Sequence, residues 1–114
     1  MYATNHFEQG ILNTMKGISL IAPNKVYIAL YLSNPGESGM DGVELSYSGY
    51  ERMAITYSEP SAEGDGIGIK NDTQITFATS PIDAGTINHI GILDSKVGGN
   101  MLVYGKLTDD LEIR

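Results

Sequence analysis

Apolar residues recur at helical spacing near the N-terminus and at alternating positions over most of the later chain. The early spacing predicts an amphipathic helix over residues 4–17, with Thr4 or Asn5 capping its start and Gly17 ending it. Its apolar positions are Phe7, Ile11, Leu12 and Met15. We expect this apolar face to pack on the body of the fold.

Residues 25–33 carry the clearest strand pattern, because apolar side chains occupy both sides of the alternation. One side would present Val26, Ile28, Leu30 and Leu32, and the other would present Tyr27, Ala29 and Tyr31. A strand that is apolar or aromatic on both sides is predicted to be covered on both sides, by the helix or by another subunit.

Further extended segments follow, separated by long connections rich in glycine and small polar residues over 34–49 and 58–72. Strands are predicted at 50–57, 73–78, 86–93 and 101–107, and one more is predicted to begin within 111–114. Gly98 and Gly99 supply the positive φ angles that a hairpin turn between the segments 86–93 and 101–107 needs.

This succession of strands and turns predicts a mainly β fold, an antiparallel β-sandwich-like domain with one N-terminal α-helix. We expect residues 1–114 to form a single domain, with a helix at about 4–17 and a β body over about 25–114.

The composition narrows the function classes. The chain has 114 residues, no cysteine and a net charge of −7. The acidic balance argues against nucleic acid as a partner, and no apolar run is long enough for membrane insertion. Without cysteine there is no disulfide, thiolate zinc site or cysteine nucleophile.

Few residues suggest metal or catalytic chemistry. His6 and His89 are far apart in sequence, and no G-x-S-x-G nucleophile motif occurs. Glu63, Asp65 and Asp72 could supply oxygen ligands to calcium, although carboxylates in such a loop are usually only solvated. We therefore expect no catalytic residue, no metal and no cofactor.

The seven tyrosines are the more informative set, since tyrosine offers a large rigid contact area with one polar tip. The candidate interface or binding residues are Tyr27, Tyr31, Tyr47 and Tyr50. Tyr47 and Tyr50 flank Ser48-Gly49 where a long loop meets a predicted strand. Core and sheet packing is the competing explanation for all four.

Two longer stretches carry a family resemblance: YSGYERMAITY after the first long loop, and GTINHIGILDSKVGGNMLVYGKL over the predicted hairpin. Over residues 6–108 the chain resembles small virion proteins of tailed bacteriophages, of the tail fibre or baseplate-associated type. The resemblance implies a non-enzymatic β module of a phage tail or tail-like particle, made in the cytoplasm of the bacterial host. It implies other tail or baseplate proteins and further copies of the chain as partners.

Several alternatives stay open at this point. The loops 34–49 and 58–72 could form a tip that binds a host receptor or glycan, a head decoration or neck/collar role is also compatible, and a wall-cleaving enzyme is the weakest. Similar proteins continue into one more loop and strand, so we expect the sheet edge near residues 111–114 to be paired in the assembly.

Overall fold

A computed structural model of the chain describes residues 2–20, 22–64, 66–68, 74–78, 80 and 85–113. The elements in chain order are β1 (Tyr2–Ala3), α1 (Asn5–Thr14), β2 (Val26–Tyr31), β3 (Met53–Ile55), β4 (Ser61–Glu63), β5 (Gly66–Gly68), β6 (Gly85–Leu93) and β7 (Met101–Ile113). Five strands form an antiparallel sheet in the order β1-β7-β6-β2-β3, and β4 pairs with β5 separately. The predicted mainly β fold with one N-terminal helix is therefore confirmed.

Strand β2 lies inside the sheet and is covered on both faces, as its alternation predicts. One face holds a buried cluster formed by Ala29, Tyr31, Leu93, Met101 and Tyr104. The opposite face holds a second cluster formed by Leu30, Leu45 and Ile87, with Tyr47, Tyr50 and Phe77 packed against it. Loop residues thus supply much of the layer that covers the second face of the sheet.

One edge of β2 pairs with β6, and two different segments pair with its other edge. Strand β3 pairs with its first half, ending at the partners Ile28 and Met53. Residues 43–45 pair with its second half: the Leu32 N–H donates to the Val43 carbonyl at 2.8 Å, and the Leu45 N–H donates to the Leu30 carbonyl at 2.8 Å. The predicted loop 34–49 therefore contains a short extended stretch that closes the sheet edge.

Strands β6 and β7 form the predicted hairpin, with Gly98 and Gly99 at positive φ in its turn. Strand β7 is longer than predicted, because its register with β6 continues to the pair Gly85 and Ile113. The prediction of a separate strand within 111–114 is wrong for the described residues 111–113, which continue β7.

The predicted N-cap Thr4 is confirmed, but the helix ends at Thr14 with Met15 as its C-cap, before the predicted end at Gly17. Thr4 is fully buried, and its hydroxyl accepts a hydrogen bond from the Phe7 N–H and donates one to the Met101 carbonyl at 2.6 Å. At the other end Gly17 has a φ of 84°, and the Ile18 N–H donates back to the Asn13 carbonyl at 3.0 Å. These contacts fix α1 to the sheet and define where it stops.

The predicted packing of the apolar face of α1 is wrong in large part. No residue of α1 is buried, and Leu12 and Met15 are 61% and 82% exposed. The helix contacts β1 and β7, where Met101 and Tyr104 are already buried in the sheet's own cluster. The chain after the helix folds back instead, so that a Cβ atom at Gly10 would lie 2.6 Å from Leu20 Cδ1.

Three other segments differ from the sequence interpretation. Within 50–57 only β3 is a strand, and it ends at Ile55 opposite Val26, where β2 itself begins. The connection 58–72 contains the hairpin of β4 and β5. Residues 74–78 form no strand, yet Ile75 and Phe77 are half-buried between exposed neighbours, as their alternation predicts.

Candidate functional site

Tyr47 and Tyr50 lie together on the face of the sheet that Leu45 covers. Their rings meet edge to face with centroids 5.5 Å apart, and Tyr50 stacks on Phe77 at 6.1 Å. The Tyr47 hydroxyl donates to the Ala78 carbonyl. Both rings are half-buried, so most of their contact area is used within the chain.

Tyr27 and Tyr31 lie on the opposite face. Tyr31 is buried in the cluster with Ala29, and burial raises the pKa of its phenol. Tyr27 is half-buried and stands in register with Leu93. The four predicted candidates therefore form two pairs on opposite faces of the sheet, and one member of each pair, Tyr31 and Tyr50, interacts with Glu44 and Arg52.

The Tyr50 hydroxyl replaces a missing ladder contact at the edge of β2. Neither β3 nor the stretch 43–45 provides a backbone partner for the Leu30 N–H. This N–H donates instead to the Tyr50 hydroxyl at 3.1 Å. That hydroxyl donates in turn to Glu44 Oε2 at 2.7 Å. Burial raises the pKa of the Tyr50 phenol well above its usual range, so the group stays a neutral donor.

Arg52 is the centre of a network that also includes Glu44. Its Nε donates to Glu44 Oε2 at 3.0 Å and its Nη2 donates to Glu44 Oε1 at 2.9 Å, a two-pronged contact. Its Nη1 donates to the carbonyls of Ser95 and Gly98 at 2.9 and 2.8 Å. The hydrogen bond to Glu44 raises the pKa of Arg52. The Arg52 side chain is only 11% exposed, and the Glu44 side chain is 25% exposed.

This network joins two segments that are close in sequence, the stretch 43–45 and the segment 48–52, to the distant turn between β6 and β7. The sequence identified Tyr50 as a candidate interface residue and placed Arg52 in the stretch that carries the family resemblance, but it did not identify Glu44. The available signal was the alternation in Val43-Glu44-Leu45, where one acid stands between two apolar residues inside an otherwise flexible-looking loop.

Of the grooves near the turn between β6 and β7 in the described part of the chain, two have the larger volumes. The first has a volume of about 400 Å³ and borders Glu44, Tyr50 and Arg52, with a Glu51–Lys96 ion pair of 3.0 Å at its rim. The second has a volume of about 480 Å³. It is lined by Asn24, Lys25, Tyr27, Asp94, Ser95 and Lys96.

Metal-ligating side chains do not cluster in the part of the chain that the structure describes. His6 is exposed on α1, and the His89 ring contacts Asn88 Oδ1 at 2.5 Å. Of the three carboxylates considered as calcium ligands, Glu63 ends β4, while Asp65 and Asp72 lie outside the described residues.

Comparison with known proteins gives a family match over almost the whole chain. A family described as podophage GP4 fiber I protein gp80 matches residues 2–114. No curated protein matches the chain. Among the described residues, the helical segment is too short and too polar for a bilayer crossing. The match includes the helix, the five-stranded sheet and the Arg52 network.

Proposed function

The chain belongs to the podophage GP4 fiber I protein family, and we propose that it is a non-enzymatic unit of the tail fibre that acts through protein–protein assembly. Family membership gives the coarser role, which is that of a structural protein of the phage tail fibre. The finer proposal is that its partners are other tail proteins and further copies of itself.

The hydrogen bonds made by Glu44 and Arg52 support this proposal, because both side chains hold loops of the protein in place. A general acid or base needs a titratable group within reach of a substrate proton. Here Glu44 accepts hydrogen bonds from Arg52 and Tyr50, and Arg52 holds the carbonyls of the turn between β6 and β7. These groups stabilise loops in fixed positions, which suits a protein that presents surfaces to partners.

Purified phage particles test the assembly role. We expect the chain in their mass spectra, and we expect gold-labelled antibody against it to mark the tail fibres in electron micrographs. An antibody against the major head protein is the control for labelling. Label on the head or neck would move the chain to a decoration or collar role, and its absence from the particles would contradict the proposal.

Host glycan binding is the second candidate function, and the 480 Å³ groove favours it. Lys25 stands beside the half-buried ring of Tyr27 in this groove, while Lys96 is paired with Glu51 at 3.0 Å and Asp94 contributes a carboxylate to the lining. Tyrosine rings pack against sugars, and lysine ammonium groups attract carboxylate or phosphate. The matching ligand class is an acidic surface saccharide.

If the groove binds such a saccharide, Lys25→Glu should weaken binding about tenfold or more, which corresponds to about 1.4 kcal/mol. Isothermal titration with acidic host polysaccharide measures this affinity. Lys106→Glu makes the same charge change on the exposed part of β7 and serves as the control. Equal affinity of both variants, or no binding by the unaltered chain, would exclude this function.

A further inference from the structure

A small cavity lies between the start of α1, the loop 38–40 and the turn between β6 and β7. Its volume is about 160 Å³, several times the ~30 Å³ that one water molecule occupies. Its polar lining residues are His6, Tyr31, Ser38, Arg52 and Asn100. We propose that this cavity binds a small carboxylate, supplied either by a free molecule or by an acidic side chain of another protein.

The Tyr31 hydroxyl is the first observation that points to a ligand. Tyr31 is only 5% exposed, yet its hydroxyl has no hydrogen-bond partner among the residues that the structure describes. A buried tyrosine hydroxyl normally has such a partner, because an unpaired buried polar group costs free energy. Every fully buried side-chain oxygen in the described part of the chain is paired, so the Tyr31 hydroxyl keeps its remaining accessible area where the residue lines the cavity.

The packing of Tyr31 makes its hydroxyl a fixed donor. The ring is held in the core cluster with Ala29, Leu93 and Met101. Burial raises the pKa of the phenol, so the group stays protonated. A donor that is held in place without an acceptor favours a ligand that carries one.

Arg52 supplies a second donor to the cavity. Its planar guanidinium has five N–H groups, of which two donate to Glu44 and two donate to the carbonyls of Ser95 and Gly98. The fifth, on Nη2, points away from Glu44, because the two N–H bonds of that nitrogen diverge. Since Glu44 offsets the charge of Arg52, hydrogen-bond geometry contributes more to binding than net charge does, and we expect the affinity to be low.

The remaining lining groups favour a ligand that accepts hydrogen bonds. Ser38 Oγ accepts from the Met40 N–H at 3.1 Å, so its own proton is available, and Asn100 adds an amide. No aspartate or glutamate among the described residues lines the cavity, although the sequence contains fourteen. A cation would therefore meet no carboxylate here, whereas the two oxygens of a carboxylate can accept from Tyr31 and Arg52 together. The volume restricts the ligand to a carboxylate with a short chain.

NMR titration of the full chain with sodium acetate tests the proposal, with sodium chloride at equal ionic strength as the background. We expect saturable shifts of the amide signals of Tyr31 and of residues 98–101, which border the cavity. Acetamide has the shape of acetate without its charge, and we expect it to bind at least about tenfold more weakly. This comparison uses the unaltered chain, so it decides the question even if a variant fails to fold.

Tyr31→Phe removes the donor and keeps the ring in the core. We expect it to weaken acetate binding at least about tenfold, because it removes a hydrogen bond to a charged group. Tyr27→Phe is the matched control, since it makes the same change in the same strand, and Tyr27 lines the 480 Å³ groove instead. We expect Tyr27→Phe to bind acetate like the unaltered chain, and circular dichroism checks that both variants are folded.

The proposal would be overturned by a chain that shows no saturable shifts with acetate, by equal affinity for acetate and acetamide, or by a folded Tyr31→Phe variant that binds acetate as tightly as Tyr27→Phe does. A glutamate blocked at both ends, N-acetylglutamate methylamide, separates the two sources of the carboxylate. Binding of this compound at least as tight as that of acetate supports an acidic side chain of another protein, and binding of acetate alone supports a free molecule. The fibre role does not depend on either result.

Discussion

Replacing Arg52 by alanine should lower the free energy of unfolding by about 3 kcal/mol, a large part of the 5–15 kcal/mol typical of a small domain. The substitution removes a two-pronged contact to Glu44 and two hydrogen bonds to the carbonyls of Ser95 and Gly98. It also leaves the Glu44 carboxylate partly buried without its cation, and an uncompensated charge costs more than the lost contacts alone. Chemical denaturation of the purified chain measures the change.

The neighbouring ion pair provides the control for Arg52→Ala. Glu51 and Lys96 are 3.0 Å apart, but their side chains are more than half exposed, so Lys96→Ala should cost about 0–1 kcal/mol. The double variant Glu44→Gln with Arg52→Ala should cost less than the sum of the two single changes, because both remove the same contact. Additive effects, or a cost of Arg52→Ala no larger than that of Lys96→Ala, would contradict the assigned role of the network.

The sheet was predictable from sequence where local periodicity reports burial. Strand β2 alternates with apolar residues on both sides, and the structure covers both of its faces. Gly98 and Gly99 marked the turn between β6 and β7 because only their conformational freedom suits it. The end of β7 was missed, since its length depends on pairing with β6 and not on its own pattern.

The helix shows that apolar periodicity does not predict which surface covers an apolar face. The spacing and the N-cap Thr4 predicted the start of α1 correctly, while the helix ends at Thr14 and Gly17 lies in the turn that follows. Spacing indicates that a face is apolar but not which surface covers it, so the packing of Leu12 and Met15 was predicted wrongly. The same limit applies to the site: Tyr50 and Arg52 belong to one recognisable segment, while their partner Glu44 is fixed by tertiary contacts.

Leu45 is a core residue that its local sequence pattern does not identify. Its replacement is expected to have the second large effect on the free energy of unfolding. Leu45 lies in a predicted loop, yet it is only 1% exposed and packs with Leu30 and Ile87. Leu45→Ala should lower the free energy of unfolding by about 2–5 kcal/mol, because it removes buried methyl groups and leaves a cavity that the sheet fills only in part. Thermal and chemical denaturation both measure this loss.

Val43→Ala is the matched control, since Val43 lies two residues earlier in the same extended stretch and is 57% exposed. Its change should stay within about 0.5 kcal/mol, as for other exposed positions. Both variants keep the backbone hydrogen bonds of residues 43–45 to β2, so the difference between them isolates side-chain burial. If the two variants were equally stable, Leu45 would not be part of the core, and the stretch 43–45 would be a surface loop as the sequence first suggested.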